Sequence, residues 1–237
     1  GLNHIDIEYC KKKKIKIINL VKKNPNLKKI TSTSEMCLSM ILLGVRKLTY
    51  FYKSNFKLAD RYKHQVYQFK NYTVGIIGYG RIGKKLLKDL KYLKFRVFFY
   101  DKNNKYKKDK DYLNLNKLLK VSDIISLNLS YSKANYNFFN KEKFSICKKN
   151  LIFINTARGE LVDEFDMLSF LRKNKLSSAY LDVIKDETKK YQNNILYKHS
   201  LKKNNLFITP HLGGTSKDAL NITENIVINQ FIKHDNH

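Results

Sequence analysis

The chain has 237 residues, a length that suits one large domain or one domain with part of another. Hydrophobic residues make up 43% of it, so a sizeable core can form. Cys10, Cys37 and Cys147 lie far apart without a C-x-x-C, which excludes a disulfide framework and a thiolate metal site and fits a reducing cytoplasm. The longest apolar run, near residues 36–45, falls short of the roughly 18 residues of a membrane helix. We therefore predict a cytoplasmic protein with no metal and no membrane partner.

The net charge of +27 is extreme for this length. One interpretation is an electrostatic surface for nucleic acid or a membrane, and the other is compositional drift. The cations are overwhelmingly Lys and are spread over the whole chain, whereas Arg, the usual reader of bases and phosphates, is scarce. The pattern favours drift, and we predict no specific nucleic-acid partner.

Strand-like runs alternate with helix-patterned segments along the chain. This alternation predicts βαβ units in an α/β fold, a doubly wound parallel sheet with helices on both faces. Residues 151–154 are continuously apolar, as expected for a strand buried on both faces. The predicted strands are residues 14–20, 72–77, 96–100, 123–129, 150–155, 178–183 and 206–209.

Helix boundaries are marked by capping residues. The S-x-x-E pattern of residues 32–35 is a capping box and predicts a helix that runs to about residue 47. Its first turns are apolar nearly all round, which indicates burial on more than one side. A second domain or a partner subunit could cover it, or it is a simple core helix. Near the end of the chain, Thr215 or Ser216 is expected to cap a last helix over residues 217–233.

Residues 72–83 read Y-T-V-G-I-I-G-Y-G-R-I-G. An apolar strand pattern leads into the G-x-G-x-x-G of Gly78, Gly80 and Gly83, and a helical pattern follows at once. In a dinucleotide fingerprint the first glycine permits a tight turn, the second lets the backbone approach the pyrophosphate, and the third lets helix and strand pack closely. The free N–H groups and positive end of the helix hold the phosphates.

The next apolar run ends in Asp101, about 20 residues past the glycines, as the fingerprint requires. Its carboxylate can accept hydrogen bonds from both hydroxyls of an adenosine ribose and would repel a 2′-phosphate, which favours NAD over NADP. A structural glycine turn is the alternative. The strand before it, the helix after it and the acid on the following strand favour nucleotide binding, so we predict NAD as the cofactor.

Three later segments place polar residues just past predicted strands, where a parallel sheet carries its chemistry. The first, I-N-T-A-R-G-E-L-V-D, presents Arg158; the second, L-D-V-I-K-D-E, presents Glu187; the third, T-P-H-L-G-G, holds His211 on a short turn. Taken singly, these are a surface cation, an acidic loop and a capping or core histidine. As an ordered set behind a nucleotide fingerprint, they predict an active site.

These motifs, in this order, resemble those of the D-isomer-specific 2-hydroxyacid dehydrogenases, and the resemblance covers almost the whole chain. The fingerprint followed by F-F-Y-D, together with the H-L-G-G turn, looks most like the phosphoglycerate dehydrogenase branch, which suggests a 3-phosphoglycerate-like substrate. The further matching pieces are G-L-N-H-I-D at residues 1–6, S-T-S-E at 32–35 and S-D-I-I-S at 122–126.

The resemblance implies an NAD-dependent oxidoreductase that interconverts a D-2-hydroxy acid and its 2-keto acid by hydride transfer. Arg158 would bind the substrate's carboxylate and carbonyl oxygen as a planar, permanently charged fork. His211 would be the general acid–base, and Glu187 would hydrogen-bond its imidazole and raise its pKa.

The resemblance also implies the cofactor contacts. Asn128 stands in the cofactor cleft where the family often has His. Arg81 and Ile82 would line the pyrophosphate. The nicotinamide half would lie along Thr156, Ala157, Asp182, Gly213 and Gly214.

The implied domains are a remnant of a flavodoxin-like substrate domain (residues 1–30), a Rossmann NAD-binding domain (31–213) and a C-terminal helix returning to the substrate domain (214–237). Most of the family's N-terminal segment is missing before Gly1, so the resemblance predicts a truncated fragment that binds NADH with little or no turnover. It also implies a homodimer through the helix of residues 34–47.

Two functions of other classes stay open. The same scaffold can serve as an NAD(H)-binding regulatory module or persist as an inactive cofactor-binding fragment, since fold does not fix function. Charge alone suggests a polyanion-binding protein. Arg158, Glu187 and His211 favour the enzyme, whereas the missing substrate lobe favours the module or the fragment.

Overall fold

The computed structural model describes residues 5–20, 24–53, 62, 65–188 and 191–235. By their contacts these residues form two compact units. Thr31–Gly214 form the larger unit, and the described residues of Gly1–Ile30 and Thr215–His237 form the smaller one. Every residue proposed for the site lies in the larger unit.

A parallel sheet forms the centre of the larger unit, as the sequence predicts. Its order is β2-β1-β3-β4-β5-β6, so the chain leaves β1 first to one side and then returns to the other. This reversal beside β1 is the topological switch point, outside which open α/β sheets bind their ligands. The strands are β1 (Thr73–Ile77), β2 (Arg96–Tyr100), β3 (Ile124–Leu127), β4 (Leu151–Asn155), β5 (Leu176–Leu181) and β6 (Leu206–Ile208).

Helices connect the strands, and most of them begin where a side-chain oxygen accepts a backbone N–H of the first turn. Such caps satisfy donors that a helix leaves unpaired. The capping residues are Asp6, Asn114, Asn140, Asp163 and Asn194. The helices are α1 (Ile7–Lys12), α2 (Ser32–Val45), α3 (Leu48–Lys53), α4 (Arg81–Tyr92), α5 (Leu115–Val121), α6 (Lys141–Ile146), α7 (Glu164–Arg172), α8 (Ile195–Ser200) and α9 (Lys217–Asp235).

The core lies on both faces of the sheet. Along β4, Leu151 and Phe153 belong to one buried cluster, while Ile152 and Ile154 belong to a second one. Because successive strand residues point to opposite faces, the two clusters are the two layers of a doubly wound fold. This explains why the strand pattern in the sequence is continuously apolar rather than alternating.

Helix α2 packs closely on one of these faces. A Cβ on Gly44 would lie 2.9 Å from a methyl group of Ile152 and 3.0 Å from the ring of Tyr180, so the missing side chain permits the approach. Four apolar side chains of α2 are half-buried against the same cluster: Met36, Leu38, Leu42 and Leu43.

The start of α2 differs from the predicted capping box. Thr31 is the N-cap, it has helical backbone angles, and it makes no side-chain cap bond. Ser32 is already inside the helix, and Glu35 instead accepts a hydrogen bond from the Thr31 hydroxyl. The helix therefore begins one residue earlier than the capping box predicts, at Ser32. The helix also ends at Val45, two residues before the predicted end.

The strand predicted at residues 14–20 is wrong. Residues 15–20 are neither helical nor paired as a strand. A strand needs a neighbouring backbone to satisfy its N–H and C=O groups, and the described part of the smaller unit contains no other strand. The other six predicted strands are present, with ends that move by up to two residues.

The helical elements in the described part of the smaller unit are α1, a short 3₁₀ turn over Pro25–Lys29 and α9. The last helix starts where predicted, and the hydroxyl of Ser216 accepts a hydrogen bond from the N–H of Ala219 at 3.3 Å. Within the described ranges, no helix has both the length and the apolar character needed to cross a membrane.

The glycines at the end of β1 differ in what surrounds them. A Cβ on Gly83 would lie 2.1 Å from the carbonyl oxygen of Gly78, whereas a Cβ on Gly80 would meet no atom within 4 Å. We expect Gly83→Ala to lower the free energy of unfolding by about 1–3 kcal/mol, because the helix must move away from the strand. Gly80→Ala, the matched control, should change it by less than about 1 kcal/mol. Urea unfolding measures the free energy of unfolding of both variants. Equal losses of stability would contradict the conclusion that Gly83, and not Gly80, is the point where helix and strand pack closely.

Candidate active site at the carboxyl edge of the sheet

The turn between β1 and α4 forms an open cradle. Gly78 has φ +103°, a conformation that side-chain-bearing residues rarely adopt, and its N–H donates to the carbonyl of Tyr100 at 2.8 Å. Gly80 then leaves open space in front of the first turn of α4. Arg81 is exposed at that turn and Ile82 is half-buried against the core. The backbone N–H groups at the start of a 12-residue helix without a side-chain cap suit an anionic phosphate group.

Asp101 stands beside this cradle, directly after β2. One carboxylate oxygen accepts the N–H of Tyr79 at 2.8 Å, and the other accepts the N–H of Asn103 at 2.9 Å. These bonds fix the side chain next to the glycine turn. Each carboxylate oxygen has a second lone pair, so Asp101 can still accept two hydroxyl groups.

The turn after β4 presents Arg158. Asn155, which is 1% exposed, braces it: its side chain accepts the N–H of Ala157 at 3.0 Å and donates to the carbonyl of Arg158 at 2.9 Å. The guanidinium of Arg158 donates to the carbonyl of Ala157 at 2.6 Å and is half-buried. The sequence analysis missed Asn155, although an amide at the end of a buried apolar strand is a visible signal.

Thr156 lies deeper in the same cleft and is 6% exposed. Its hydroxyl is 2.8 Å from the sulfur of Cys37, and that thiol also contacts Asn128 at 3.4 Å. Burial raises the pKa of Cys37 to about 11, so the thiol stays neutral. Helix α2 therefore contributes a small, uncharged side chain to the cleft, a contact that the sequence does not indicate because the two residues are 119 positions apart.

Asp182, at the end of β5, binds the turn after β6. It is 1% exposed, and one of its oxygens accepts the hydroxyl of Thr209 at 2.6 Å and the N–H of Leu212 at 2.7 Å. Its other oxygen accepts the N–H of Gly213 at 2.7 Å. The carboxylate thus holds the T-P-H-L-G-G turn in place, and Gly214 follows at the open end of the turn.

His211 sits on this turn in a strained conformation. Its φ of +58° is unusual for a residue with a side chain, and such strain persists only where neighbours fix the backbone. Here the His211 N–H donates to the carbonyls of Asp182 and Thr209, both at 3.0 Å. The second bond closes a three-residue turn around Pro210.

His211 and Glu187 form a pair. The Nδ1 atom of the imidazole lies 2.5 Å from Oε1 of Glu187, and the two side chains are 43% and 29% exposed. The hydrogen bond to Glu187 raises the pKa of His211, burial and the charge of Arg158 lower it, and the Glu187 and Asp182 charges raise it further; the net direction is upward.

The structure therefore brings the predicted site residues to one edge of the sheet. The fingerprint glycines, Arg81 and Ile82 follow β1, and Asp101 follows β2. Thr156, Ala157 and Arg158 follow β4. Asp182 and Glu187 follow β5, and His211, Gly213 and Gly214 follow β6.

The residues present fit a dinucleotide. The open space over Gly80 leaves room for a pyrophosphate beside the start of α4, and Asp101 is held where a ribose would follow. The strand order, the glycine turn after β1 and Asp101 after β2 together define the class of protein. It is an NAD-binding domain of the Rossmann type.

Comparison with known proteins identifies the family. Residues 38–213 match the NAD-binding domain of the D-isomer specific 2-hydroxyacid dehydrogenases. That match covers more than half of the chain, so the chain belongs to this family of NAD-dependent dehydrogenases, as the motifs suggested.

Individual relatives agree with this assignment. Glyoxylate reductase of Thermococcus litoralis is 29% identical over 231 residues, which cover 92% of this chain and 66% of that protein. D-lactate dehydrogenase with NAD⁺ from Lactobacillus jensenii superposes with a TM-score of 0.81 at 27% identity, over 98% of this chain and 72% of that one. The Aquifex aeolicus D-lactate dehydrogenase complexed with NAD and lactic acid superposes with a TM-score of 0.78 at 29% identity. This match covers 99% of this chain and 74% of that one.

The raised pKa of His211 makes a prediction about stability. A group whose pKa is higher in the folded than in the unfolded protein stabilises the fold below its unfolded pKa, about 6.5, and this contribution disappears as the pH rises through the folded pKa. We expect Glu187→Gln to be less stable than the wild type near pH 6, with the difference shrinking toward alkaline pH. Urea unfolding from about pH 6 to pH 9 measures this.

Glu142→Gln is the matched control, because Glu142 is exposed in the first turn of α6. Its effect on stability should not follow the titration of His211. A stability difference for Glu187→Gln that is constant across the pH range would rule out an ion pair between the two side chains.

Proposed function

We propose that this chain carries the catalytic and cofactor-binding residues of a dehydrogenase that interconverts a D-2-hydroxy acid and its 2-keto acid. The observation that carries the proposal is the 2.5 Å pair of His211 and Glu187, on the same edge of the sheet as the glycine cradle. A glycine turn alone would support nucleotide binding only. An imidazole with an upward-shifted pKa, on the same edge of the sheet as a guanidinium, combines an acid–base group with an anion-binding group.

In this proposal Arg158 binds the substrate's carboxylate and keeps its reactive carbon in place, since a guanidinium offers two parallel donors to a carboxylate. His211 supplies a proton to the keto oxygen during reduction and accepts it during oxidation. Glu187 keeps the imidazole oriented and favours its protonated form, which suits reduction near neutral pH. Bound NADH would supply the hydride for reduction of the keto acid, and bound NAD⁺ would accept it during oxidation of the hydroxy acid.

The same proposal assigns the cofactor contacts. The glycine cradle with Arg81 and Ile82 would hold the pyrophosphate, and Asp101 would hold the adenosine ribose. Thr156, Ala157, Gly213 and Gly214 would border the nicotinamide half. Asp182 would contribute mainly through the turn, because its oxygens already accept three hydrogen bonds from Thr209, Leu212 and Gly213.

The substrate is proposed only as a class. The relatives named above carry glyoxylate and D-lactate in their names, so small 2-keto acids are the first to try. A 3-phosphoglycerate-like substrate, which the sequence suggested, has no support among them. The chain spans 66% of the glyoxylate reductase and 72% of the Lactobacillus jensenii enzyme. That this chain itself turns over a keto acid is therefore part of the proposal.

A homodimer in a reducing compartment is part of the same proposal. The half-buried apolar side chains of α2 could be covered by a second copy of that helix. Cys10, Cys37 and Cys147 are free thiols, which suits the cytoplasm.

Cofactor choice can be tested without a substrate. We expect NADH to quench or enhance intrinsic fluorescence saturably and NADPH to bind at least about tenfold more weakly, because Asp101 repels a 2′-phosphate. Asp101→Asn removes the charge and should reduce that preference. Asp109→Asn, an exposed residue of the following loop, is the control and should keep it. Equal binding of both nucleotides by the unaltered chain would contradict the role of Asp101.

Turnover is tested by oxidation of NADH with glyoxylate or pyruvate. We expect His211→Gln to reduce kcat about 10²–10⁴-fold, the usual contribution of a general acid. Arg158→Lys should raise KM strongly because a lysine cannot bind a carboxylate in the same two-donor geometry, whereas the exposed control Arg172→Lys should not. Saturable NADH binding without turnover of either keto acid would favour the NAD(H)-binding module or the inactive cofactor-binding fragment.

A further inference from the structure

The loop that carries Glu187 begins after β5 has ended, so the sheet does not fix its position. Part of the loop lies on Gly159, where a Cβ would come within 2.1 Å of the Ile184 carbonyl carbon. The Lys185 ammonium donates to the side chain of Asn137 at 2.6 Å. Asp186 has φ +52°, so the backbone turns sharply just before Glu187. The backbone of Lys185, two residues before Glu187, needs a further partner.

Glu164 supplies that partner. This carboxylate is the first residue of α7 and only 6% exposed. Its Oε1 accepts the backbone N–H of Lys185 at 2.8 Å, and its Oε2 accepts the side-chain amide of Asn194 at 2.7 Å. A buried carboxylate is costly unless such donors satisfy it.

Asn194 connects the same carboxylate to the next helix. Its side-chain oxygen caps α8 by accepting the N–H groups of Leu196 at 2.8 Å and Tyr197 at 3.2 Å. Its amide lies 3.4 Å from the carbonyl of Lys185. Glu164 and Asn194 therefore bind the two backbone polar groups of one residue: Glu164 accepts the N–H of Lys185, and Asn194 donates to its carbonyl.

We propose that Glu164 is a positioning residue: by binding the backbone of Lys185 it sets the distance at which Glu187 meets His211. The catalytic meaning of this contact rests on the proposed dehydrogenase function. A role confined to α7 would need only a negative charge near the start of the helix, and Asp166 in the same turn already provides one. Glu164 also accepts hydrogen bonds from Lys185 and Asn194, which lie outside α7, and stabilising the start of α7 does not require these bonds.

Neighbouring charges act on Glu164 in both directions. Burial raises the pKa of Glu164 and the charge of Asp186 adds to this, while the hydrogen bonds from Lys185 and Asn194 and the Lys185 charge lower it; the net direction is upward. Both contacts are N–H donors, so both require an accepting oxygen and favour the ionised form. Around His211 the charged groups are Glu187, Arg158 and Asp182.

The test is the pKa of His211, measured by NMR titration of the imidazole in the full chain without cofactor or substrate, with His211→Asn used to assign the signal. Glu164→Asp retains the charge but shortens the reach by one methylene group. We expect it to lower the His211 pKa by about 1, because Glu187 moves away. Asp166→Asn, the control, removes a charge from the same helical turn and should leave the pKa unchanged.

A rescue variant tests the hydrogen bonds themselves. Glu164→Gln leaves one acceptor oxygen for two N–H donors, so the backbone of Lys185 and the amide of Asn194 compete for it. Adding Asn194→Asp supplies an acceptor for the glutamine amide and keeps the cap of α8, so the glutamine oxygen is left for Lys185; only the 3.4 Å contact with the Lys185 carbonyl is lost. We expect the His211 pKa to fall in Glu164→Gln and to return in the double variant. If Glu164→Asp does not fold, this pair decides: equal His211 pKa values in the single and double variants would overturn the proposal.

An unchanged His211 pKa in a folded Glu164→Asp variant, shown by an unaltered urea transition, would also overturn it. The titration needs neither NADH nor a keto acid, so it succeeds or fails independently of turnover. A lowered pKa together with no turnover by the wild type would retain the positioning contact and reject the dehydrogenase proposal.

Discussion

The buried carboxylate of Asp182 is the constraint on which the geometry of the site depends. It joins the end of β5 to the turn after β6 through three side-chain hydrogen bonds, and its own carbonyl accepts the N–H of His211. With these bonds, His211 can be held at φ +58°, a conformation that costs of order 1–3 kcal/mol. The imidazole is therefore oriented before any ligand arrives, which is the condition for efficient proton transfer.

Buried polar side chains brace, in the same way, the three turns that carry Arg158, Glu187 and His211. Asn155 braces the turn of Arg158, Asp182 braces that of His211, and Glu164 braces the loop of Glu187, and all three are under 7% exposed. Each braces backbone N–H groups that neither the sheet nor a helix could satisfy. Hydrogen bonds offset the free-energy cost of removing a polar side chain from water only where all of its polar atoms are bonded. A fully bonded buried side chain also makes its surroundings more rigid.

Much of this arrangement could be predicted from the sequence. Local signals sufficed for the six strands, the glycine turn and the edge on which Arg158, Glu187 and His211 meet, because strand period and chain order determine a parallel sheet. The contact of Cys37 with Thr156 and the bracing by Glu164 could not be predicted, since they join residues far apart in sequence. The strand at residues 14–20 was wrong because a suitable pattern still needs a partner strand.

All residues proposed for the site lie within one unit, and this distinguishes cofactor binding and acid–base chemistry from the recognition of a particular substrate. The glycine cradle, Asp101 and the His211–Glu187 pair all lie within Thr31–Gly214, and their geometry follows from the sheet and its braced turns. The residues proposed to bind NAD and the His211–Glu187 pair are therefore all parts of this unit. Recognition of a particular 2-keto acid needs more than a guanidinium, since discrimination among small acids comes from the groups that surround the rest of the substrate.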